Sequence, residues 1–347
     1  MNGRELEFKA GRTVYEVAKE NGIYIPVLCH HEQVKPVGAC RVCVVEVERA
    51  RSLAASCAMP AEEGMVVYTD SPRVLTARKL IVELLMTQGH HNCITCESSG
   101  NCVLQDLAYS LGVAKPRFDE TETVKMIEDA NEMIVRDMNK CVLCGLCVRA
   151  CNEVQVNQAI DYTGRGPTAA VGAPFKQKYE ESTCVFCGEC LRVCPVGALY
   201  EKQGRFLGRD KDLEKVRTTC AYCGVGCQMD INVKNNRIVK ITTPRENAPA
   251  PNAGSLCIKG RFGYDFVSSP DRLTEPVLRS DGELRHTSWD NAIGFVSEKL
   301  EKIKKEFGPD AIAGFSSARC TNEENYIFQK FLRTVVGTNN VDHCARL

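Results

Sequence analysis

Hydrophobic and polar residues change rhythm several times along the chain. Before residue 70 they alternate in short runs at 5–9, 41–47 and 65–68, the two-residue period of half-buried strands. One stretch of helical spacing, 13–20, interrupts them. A second helix is predicted to start with Ser71 as N-cap and Pro72 at N1. Val74, Leu75, Leu80, Ile81, Leu84 and Leu85 would form its buried stripe. Much later, 288–307 reads as a helix with Ala292, Ile293, Val296, Leu300 and Ile303 on one face and Gly308-Pro309 as the stop. An apolar strand at 311–315 follows. Thr321-x-x-Glu324 is a capping box opening a helix whose buried side carries Phe328, Phe331, Leu332 and Val335, ended by Gly337. Helix, strand and helix in turn is α/β patterning. One strand and two helices bury little, so exposed apolar stripes and protease sensitivity are expected over 273–347.

Charge adds little to this picture. Lys+Arg and Asp+Glu balance at 44 each, so neither a basic face for nucleic acid nor an acidic tail is indicated. Met1-Asn2-Gly3-Arg4-Glu5 lacks a signal core and a twin arginine, and no run of about 18 apolar residues could cross a bilayer. A cytoplasmic setting is expected, where thiols stay reduced and dense cysteines read as metal ligands rather than disulfides.

Cysteine spacing changes the picture most. All of the 21 cysteines except Cys320 and Cys344 fall into five sets. The first is Cys29, Cys40, Cys43 and Cys57, with Gly38 and Ala39 letting backbone N–H groups approach the sulfurs. The second is Cys93, Cys96 and Cys102, preceded by His90 and His91; one imidazole and three thiolates can hold a cubane, since each iron needs one protein donor. Residues 141–151 and 184–194 repeat each other, CVLCGLCVRAC against CVFCGECLRVC. Two C-x2-C-x2-C-x3-C runs are the signature of a two-cluster ferredoxin, in which each run's fourth cysteine serves the other cluster. One cubane is therefore assigned to Cys141, Cys144, Cys147 and Cys194, the other to Cys184, Cys187, Cys190 and Cys151. Asn152 stands where Pro195 follows the second run, a small departure. Zinc also takes four cysteines, but favours two separated C-x2-C pairs. The fifth set is Cys220, Cys223, Cys227 and Cys257, with Gly224 and Gly226 in its loop and Lys259 beyond. Cys320 and Cys344 read as small buried hydrophobes.

The order of these blocks resembles the catalytic α-subunit of cytosolic molybdenum or tungsten formate dehydrogenases with an N-terminal iron–sulfur extension. The first part, through Cys102, is similar to the large iron–sulfur subunit of respiratory complex I and to [FeFe]-hydrogenases. CAYCGVGC, GSLCIKGRFGYDFV, SPDRLTEPVLR, SSARCTNEENYIFQKF and TNNVDHCAR resemble molybdopterin-guanine-dinucleotide enzymes. The resemblance implies an α+β multidomain chain. A β-grasp [2Fe–2S] domain over 1–76 would precede a [4Fe–4S] domain with one His and three Cys ligands over 77–120. A two-[4Fe–4S] ferredoxin-like domain over 133–208 and a [4Fe–4S] domain of the Mo/W-bis-pterin type over 213–272 would follow. Residues 273–347 would begin the molybdopterin oxidoreductase α/β fold.

Position by position, Cys29, Cys40, Cys43 and Cys57 match the [2Fe–2S] ligands. Cys93, Cys96 and Cys102 match the histidine-ligated cubane. The family's histidine lies four residues before its first cysteine, where Gly89 stands here; the imidazole is therefore assigned to His90, with His91 the alternative. Cys220, Cys223, Cys227 and Cys257 match the cubane beside the pterin, and Lys259 matches the lysine between that cluster and the cofactor, an electron relay.

One [2Fe–2S] and four [4Fe–4S] clusters are thus expected, plus a Mo- or W-bis-molybdopterin guanine dinucleotide in the full-length enzyme. Formate would be oxidised to CO2, or CO2 reduced, with electrons leaving through the Cys220 cluster and the ferredoxin-like pair. A diaphorase-type NAD(P)/flavin subunit or a ferredoxin would receive them. In relatives the segment at 341–347 is followed at once by the selenocysteine or cysteine that ligates the metal. The chain is accordingly expected to stop one residue before a UGA codon and to be inactive alone. An electron-transfer module without turnover and a hydrogenase-like subunit are the alternatives.

Overall fold

The computed structural model describes residues 1–119 and 124–344, in two compact units. The first comprises Met1–Arg217 and Met229–Phe262; the second comprises Thr218–Gln228 and Gly263 onward. The end of the expected 77–120 domain and Ala345, Arg346 and Leu347 lie outside the described residues.

In the first unit, α1 (Val14–Glu20) is opened by Thr13, whose hydroxyl accepts from the Glu16 N–H at 3.2 Å while the Glu16 carboxylate accepts from the Thr13 N–H at 2.8 Å. Strand β1 (Val44–Val47) is the centre of an antiparallel sheet flanked by β2 (Ala54–Ala55) and β3 (Val67–Tyr68). Val14, Tyr15 and Ala18 of the helix pack beneath it with Ile25, Val45 and Val67. The strand expected at 5–9 does not form. Leu6 and Phe8 are half-buried in alternation, yet the run joins no sheet among the described residues. Asn2 and Gly3, both at positive φ, turn the chain away from β3 after the Asn2 N–H has bonded Val67 O.

Helix α2 (Pro72–Thr87) starts at Ser71 as expected, but its buried stripe is rotated. Val74, Arg78, Val82, Glu83 and Leu85 face inward, while Leu75, Leu80 and Leu84 are exposed. Two charged residues take core positions because each has a partner. Arg78 donates to Val44 O at 2.8 Å, and Glu83 accepts from Arg117. Helix α3 (Val103–Ser110) packs against α2.

The ferredoxin-like repeat is assembled by β4 (Ile127–Glu128), β5 (Ile134–Asp137), α4 (Leu146–Arg149), β6 (Asp161–Thr163), β7 (Ala170–Gly172), α5 (Glu189–Val193) and β8 (Leu199–Glu201). β8 returns antiparallel onto β5, which pairs with β4 on its other edge, and α4 packs against α5. The core beneath them contains Ile134, Met138, Leu146, Val193 and Leu199, continuous with Leu28, Val42, Val82 and Leu104. Strand β9 (Glu214–Thr219) precedes the hairpin of β10 (Gln228–Lys234) and β11 (Arg237–Thr242), which turns at Asn235-Asn236, both left-handed. The short helix α6 (Ile258–Phe262) ends this unit.

In the second unit, β12 (Val277–Ser280) and β13 (Glu283–His286) form a hairpin. Helix α7 (Trp289–Phe307) has no buried residue; Ile293, Val296 and Ile303 are exposed. The strand expected at 311–315 is displaced, because Pro309–Ala311 forms a 3-10 turn, and β14 (Gly314–Ser317) pairs parallel with β15 (Val341–Cys344) across α8 (Asn322–Phe331). Leu332 and Val336 are buried, whereas Phe331 and Val335 are exposed. A π-turn over Leu332–Val336 shifts the helical phase by one residue there. Among the described residues no helix is long and apolar enough to cross a membrane.

Candidate iron–sulfur centres

The two repeated cysteine runs fold alike down to single torsions. Two residues after its first cysteine, each run has a bulky residue at positive φ, Leu143 at 51° and Phe186 at 50°. This uncommon conformation aims each N–H back at a sulfur, Leu143 at Cys141 Sγ and Phe186 at Cys184 Sγ, both at 3.4 Å. Gly145 and Gly188 follow at φ 67° and 71°, starting α4 and α5. A Cβ at Gly145 would collide with the Tyr162 hydroxyl, and one at Gly188 with the Arg261 side chain.

The contact of α4 with α5 carries each run's last cysteine across to the other. One cavity is lined by Cys141, Cys144, Cys147 and Cys194, the other by Cys151, Cys184, Cys187 and Cys190. Burial pushes the Cys184 and Cys194 thiols up to about 11, so bare thiolates are costly there and a cationic iron core would offset their charge. Soft sulfur donors on apolar walls suit an iron–sulfur cubane. Among the described residues no three His, Cys, Asp or Glu side chains converge as ligands of a single metal ion.

Tyr179 lines both cavities. It is 1% exposed, and its hydroxyl has no hydrogen-bond partner among the described residues. Burial first, and then the charge of Cys190, hold this phenol well above the ordinary tyrosine range. The Arg136 guanidinium lies 4.2 Å from its ring centroid, donates to Val171 O at 2.8 Å and is ion-paired with Glu128. Glu128 also accepts from the Tyr179 N–H at 3.1 Å. Sequence reading missed this group, since neither periodicity nor a motif marks a lone tyrosine or a buried ion pair.

The second expected set is brought together beside the first cavity. Cys93, Cys96 and Cys102 line a pocket with His91, Lys140, Val196 and Gly197. His91, half-buried, is the histidine in that lining, while His90 is exposed and its N–H donates to Asn139 O at 2.9 Å. Val196 is shared with the Cys141 cavity. On its other side the site adjoins an apolar groove of about 530 Å³ walled by Met86, Leu104, Tyr109 and Val113.

Cys29, Cys40, Cys43 and Cys57 are all buried where two cores meet, the first pair in the large core and the second in the core under β1–β3. They pair off by contact. Cys29 Sγ accepts a hydrogen bond from the Cys40 thiol, which draws Cys29 down and Cys40 up; Cys43 and Cys57 repeat the arrangement. The Cys40 N–H also donates to Cys29 Sγ at 3.4 Å. Arg149 joins this site to the repeat by donating to Cys29 O at 2.6 Å and to Cys144 O at 3.4 Å.

Of the fifth set, Cys220, Cys223 and Cys227 lie in the second unit, on a loop closed by the Cys220 N–H donating to Cys227 O at 2.8 Å and turned by Gly226 at φ 70°. Cys257 and Lys259 are exposed residues of the first unit. Cys320 and Cys344, expected to be buried, are exposed. Cys344 Sγ lies 3.4 Å from the Ser317 hydroxyl on the neighbouring strand.

Five family models match the chain in succession. They are a 2Fe-2S iron-sulfur cluster binding domain at 1–72 and the NADH-ubiquinone oxidoreductase-G iron-sulfur binding region at 78–117. A 4Fe-4S dicluster domain follows at 140–198, then a molybdopterin oxidoreductase Fe4S4 domain at 213–269 and a molybdopterin oxidoreductase domain at 272–347. The α subunit of a Geobacter sulfurreducens NADPH-Fe(3+) oxidoreductase is 35% identical over the whole chain, which spans 40% of that relative. A G-type subunit of NADH-quinone oxidoreductase from Rhizobium meliloti is 36% identical over 99% of the chain and 39% of its own length. A Bacillus subtilis protein provisionally named a formate dehydrogenase is 35% identical over the whole chain and 39% of its own length. A solved structure of NAD+-reducing [NiFe]-hydrogenase in the H2-reduced state matches 59% of this chain and 87% of its own, at 36% identity and a TM-score of 0.56.

Proposed function

We propose that this chain, which belongs to the molybdopterin oxidoreductases and carries an iron–sulfur region of the NADH-ubiquinone oxidoreductase-G type, is the electron-transfer part of a formate dehydrogenase α-subunit. The observation that carries the reading is the pair of cavities, each walled by three cysteines of one run and the last cysteine of the other. Clusters bound there would supply one-electron redox chemistry, in steps that a bis-pterin molybdenum or tungsten site needs when it processes a two-electron substrate.

The chain's own residues hold neighbouring sites in contact. Tyr179 separates the two cavities of the repeat, Val196 separates the Cys141 cavity from the Cys93 pocket, and Arg149 bridges Cys144 and Cys29 by their carbonyls. Cys29, Cys40, Cys43 and Cys57 would hold the [2Fe–2S] cluster, one contacting pair to each iron. His91 rather than His90 would complete the Cys93, Cys96 and Cys102 cubane. Cys220, Cys223, Cys227 and Cys257 would hold the cubane next to the pterin, with Lys259 the cation beside it. The NAD(H)-linked nature of the relatives supports a diaphorase-type partner, and the apolar groove beside Cys93 is a suitable place for it.

Relatives of equal identity favour a second reading, an NADPH-linked oxidoreductase that does not use formate. The test is viologen reduction by the full-length enzyme that carries this chain. Formate should drive it, and this chain alone should not support it. Reduction driven only by NADPH would contradict the formate reading.

A further inference from the structure

Between the two cysteine-walled cavities of the repeat stands one side chain with an unspent hydrogen bond. Tyr179 is buried in the wall of both, and its hydroxyl finds no acceptor among the described residues. An orphan buried hydroxyl is expensive, so a hydroxyl left this way in a packed core needs an explanation. The apolar walls around it offer little. The aliphatic side chains lining the two cavities, such as Val171, Val196, Ile134 and Ile160, carry no acceptor, whereas sulfur held by the cysteines can accept.

The surroundings also hold the ring in place. Glu128, itself buried, takes the Tyr179 N–H at 3.1 Å and pairs with Arg136, whose guanidinium covers the ring face at 4.2 Å. That cation-over-ring contact withdraws electron density from the phenol and strengthens its O–H as a donor. Glu128 thus fixes the backbone and Arg136 the ring, leaving the hydroxyl little freedom to turn elsewhere. Such a set of buried charges around one aromatic residue costs desolvation and would not be needed to fill space.

We infer that Tyr179 is a positioning residue for the electron path, its hydroxyl donating a hydrogen bond to a sulfur of one of the two cubanes it separates and raising that cluster's reduction potential. This rests on the iron–sulfur reading proposed above. The direction follows from charge: reduction adds an electron to the cluster, and a donor hydrogen bond to its sulfur favours the more negative state.

The test compares the anaerobically reconstituted chain in three forms: Tyr179, Tyr179→Phe, and 3-fluorotyrosine installed at position 179. Iron and sulfide are assayed first, then each cubane's midpoint potential is followed by EPR. Phenylalanine removes only the donor, and the fluorinated phenol donates more strongly in the same space. The potential of one cubane should fall in Tyr179→Phe and rise in the fluorinated form, with iron content equal in all three. A space-filling role would not give opposite shifts. Equal potentials in the natural and fluorinated forms at full iron content would overturn this inference and leave the iron–sulfur reading standing. Absence of iron from the natural chain would overturn both.

Discussion

At the scale of single residues, two histidines adjacent in sequence part ways. His91 lines the pocket of Cys93, Cys96 and Cys102, while His90 lies exposed and uses its backbone on Asn139. Substituting His91 with alanine should cost that cubane, about four irons, or replace its EPR signal; His90→Ala should keep both. Equal losses from the two variants would contradict the assignment. Spacing could not separate these neighbours, because a family offset of four falls on Gly89. Buried charge was equally hidden. Counting apolar residues along α2 selects Leu75, Leu80 and Leu84, whereas the folded helix turns Arg78 and Glu83 inward to meet Val44 O and Arg117. The same holds for Glu128 and Arg136, both almost fully buried and paired. Glu128→Met, which strands the guanidinium, should lower stability by about 3–5 kcal/mol, and the Glu128→Met/Arg136→Met pair should recover most of it. Urea unfolding of the cluster-loaded chain, followed by circular dichroism, checks this. A double variant no better than the single one would count against it.

At the scale of elements, local signals were the most legible. Thr13, Ser71, Ser288 and Thr321 each start a helix, because a hydroxyl satisfying a first-turn N–H is a purely local event. The repeat was legible too, since its spacing dictates which sulfurs can reach which cavity once α4 meets α5. The reading failed where a partner or a phase change intervened. The run at 5–9 has a strand's alternation but no neighbour in a sheet, and the π-turn at Leu332–Val336 buries Val336 in place of Val335. The crossing of the repeat yields a sharp prediction. Cys151→Ala should damage the same cubane as Cys184→Ala, and the double variant should lose no more iron than either single one. Cys194→Ala should instead damage the cubane of Cys141, with losses that add to those of Cys151→Ala. Additive loss in the Cys151→Ala/Cys184→Ala pair would contradict the assignment.

At the scale of the whole molecule, the chain spans about 40% of the length of the curated relatives it matches, and its two units differ in how well they cover apolar surface. The first builds a continuous core through the cysteine sites. In the second, α7 exposes Trp289, Ile293, Phe295, Val296 and Phe307, and among the described residues Ile312, Leu332 and Val336 form a small core against which Leu300 packs. Composition and periodicity foresaw those exposed stripes. Limited trypsin digestion should therefore cut within 289–307 well before it cuts the repeat at 141–194, as peptide mass mapping would show; equal protection would argue against it.

The most direct measurement is the metal and labile-sulfide content of anaerobically prepared chain. The cysteine sets predict about eighteen irons with matching sulfide, as one two-iron and four four-iron clusters resolved by EPR on stepwise reduction. Protein that holds zinc in place of iron, or iron without sulfide, would contradict the account.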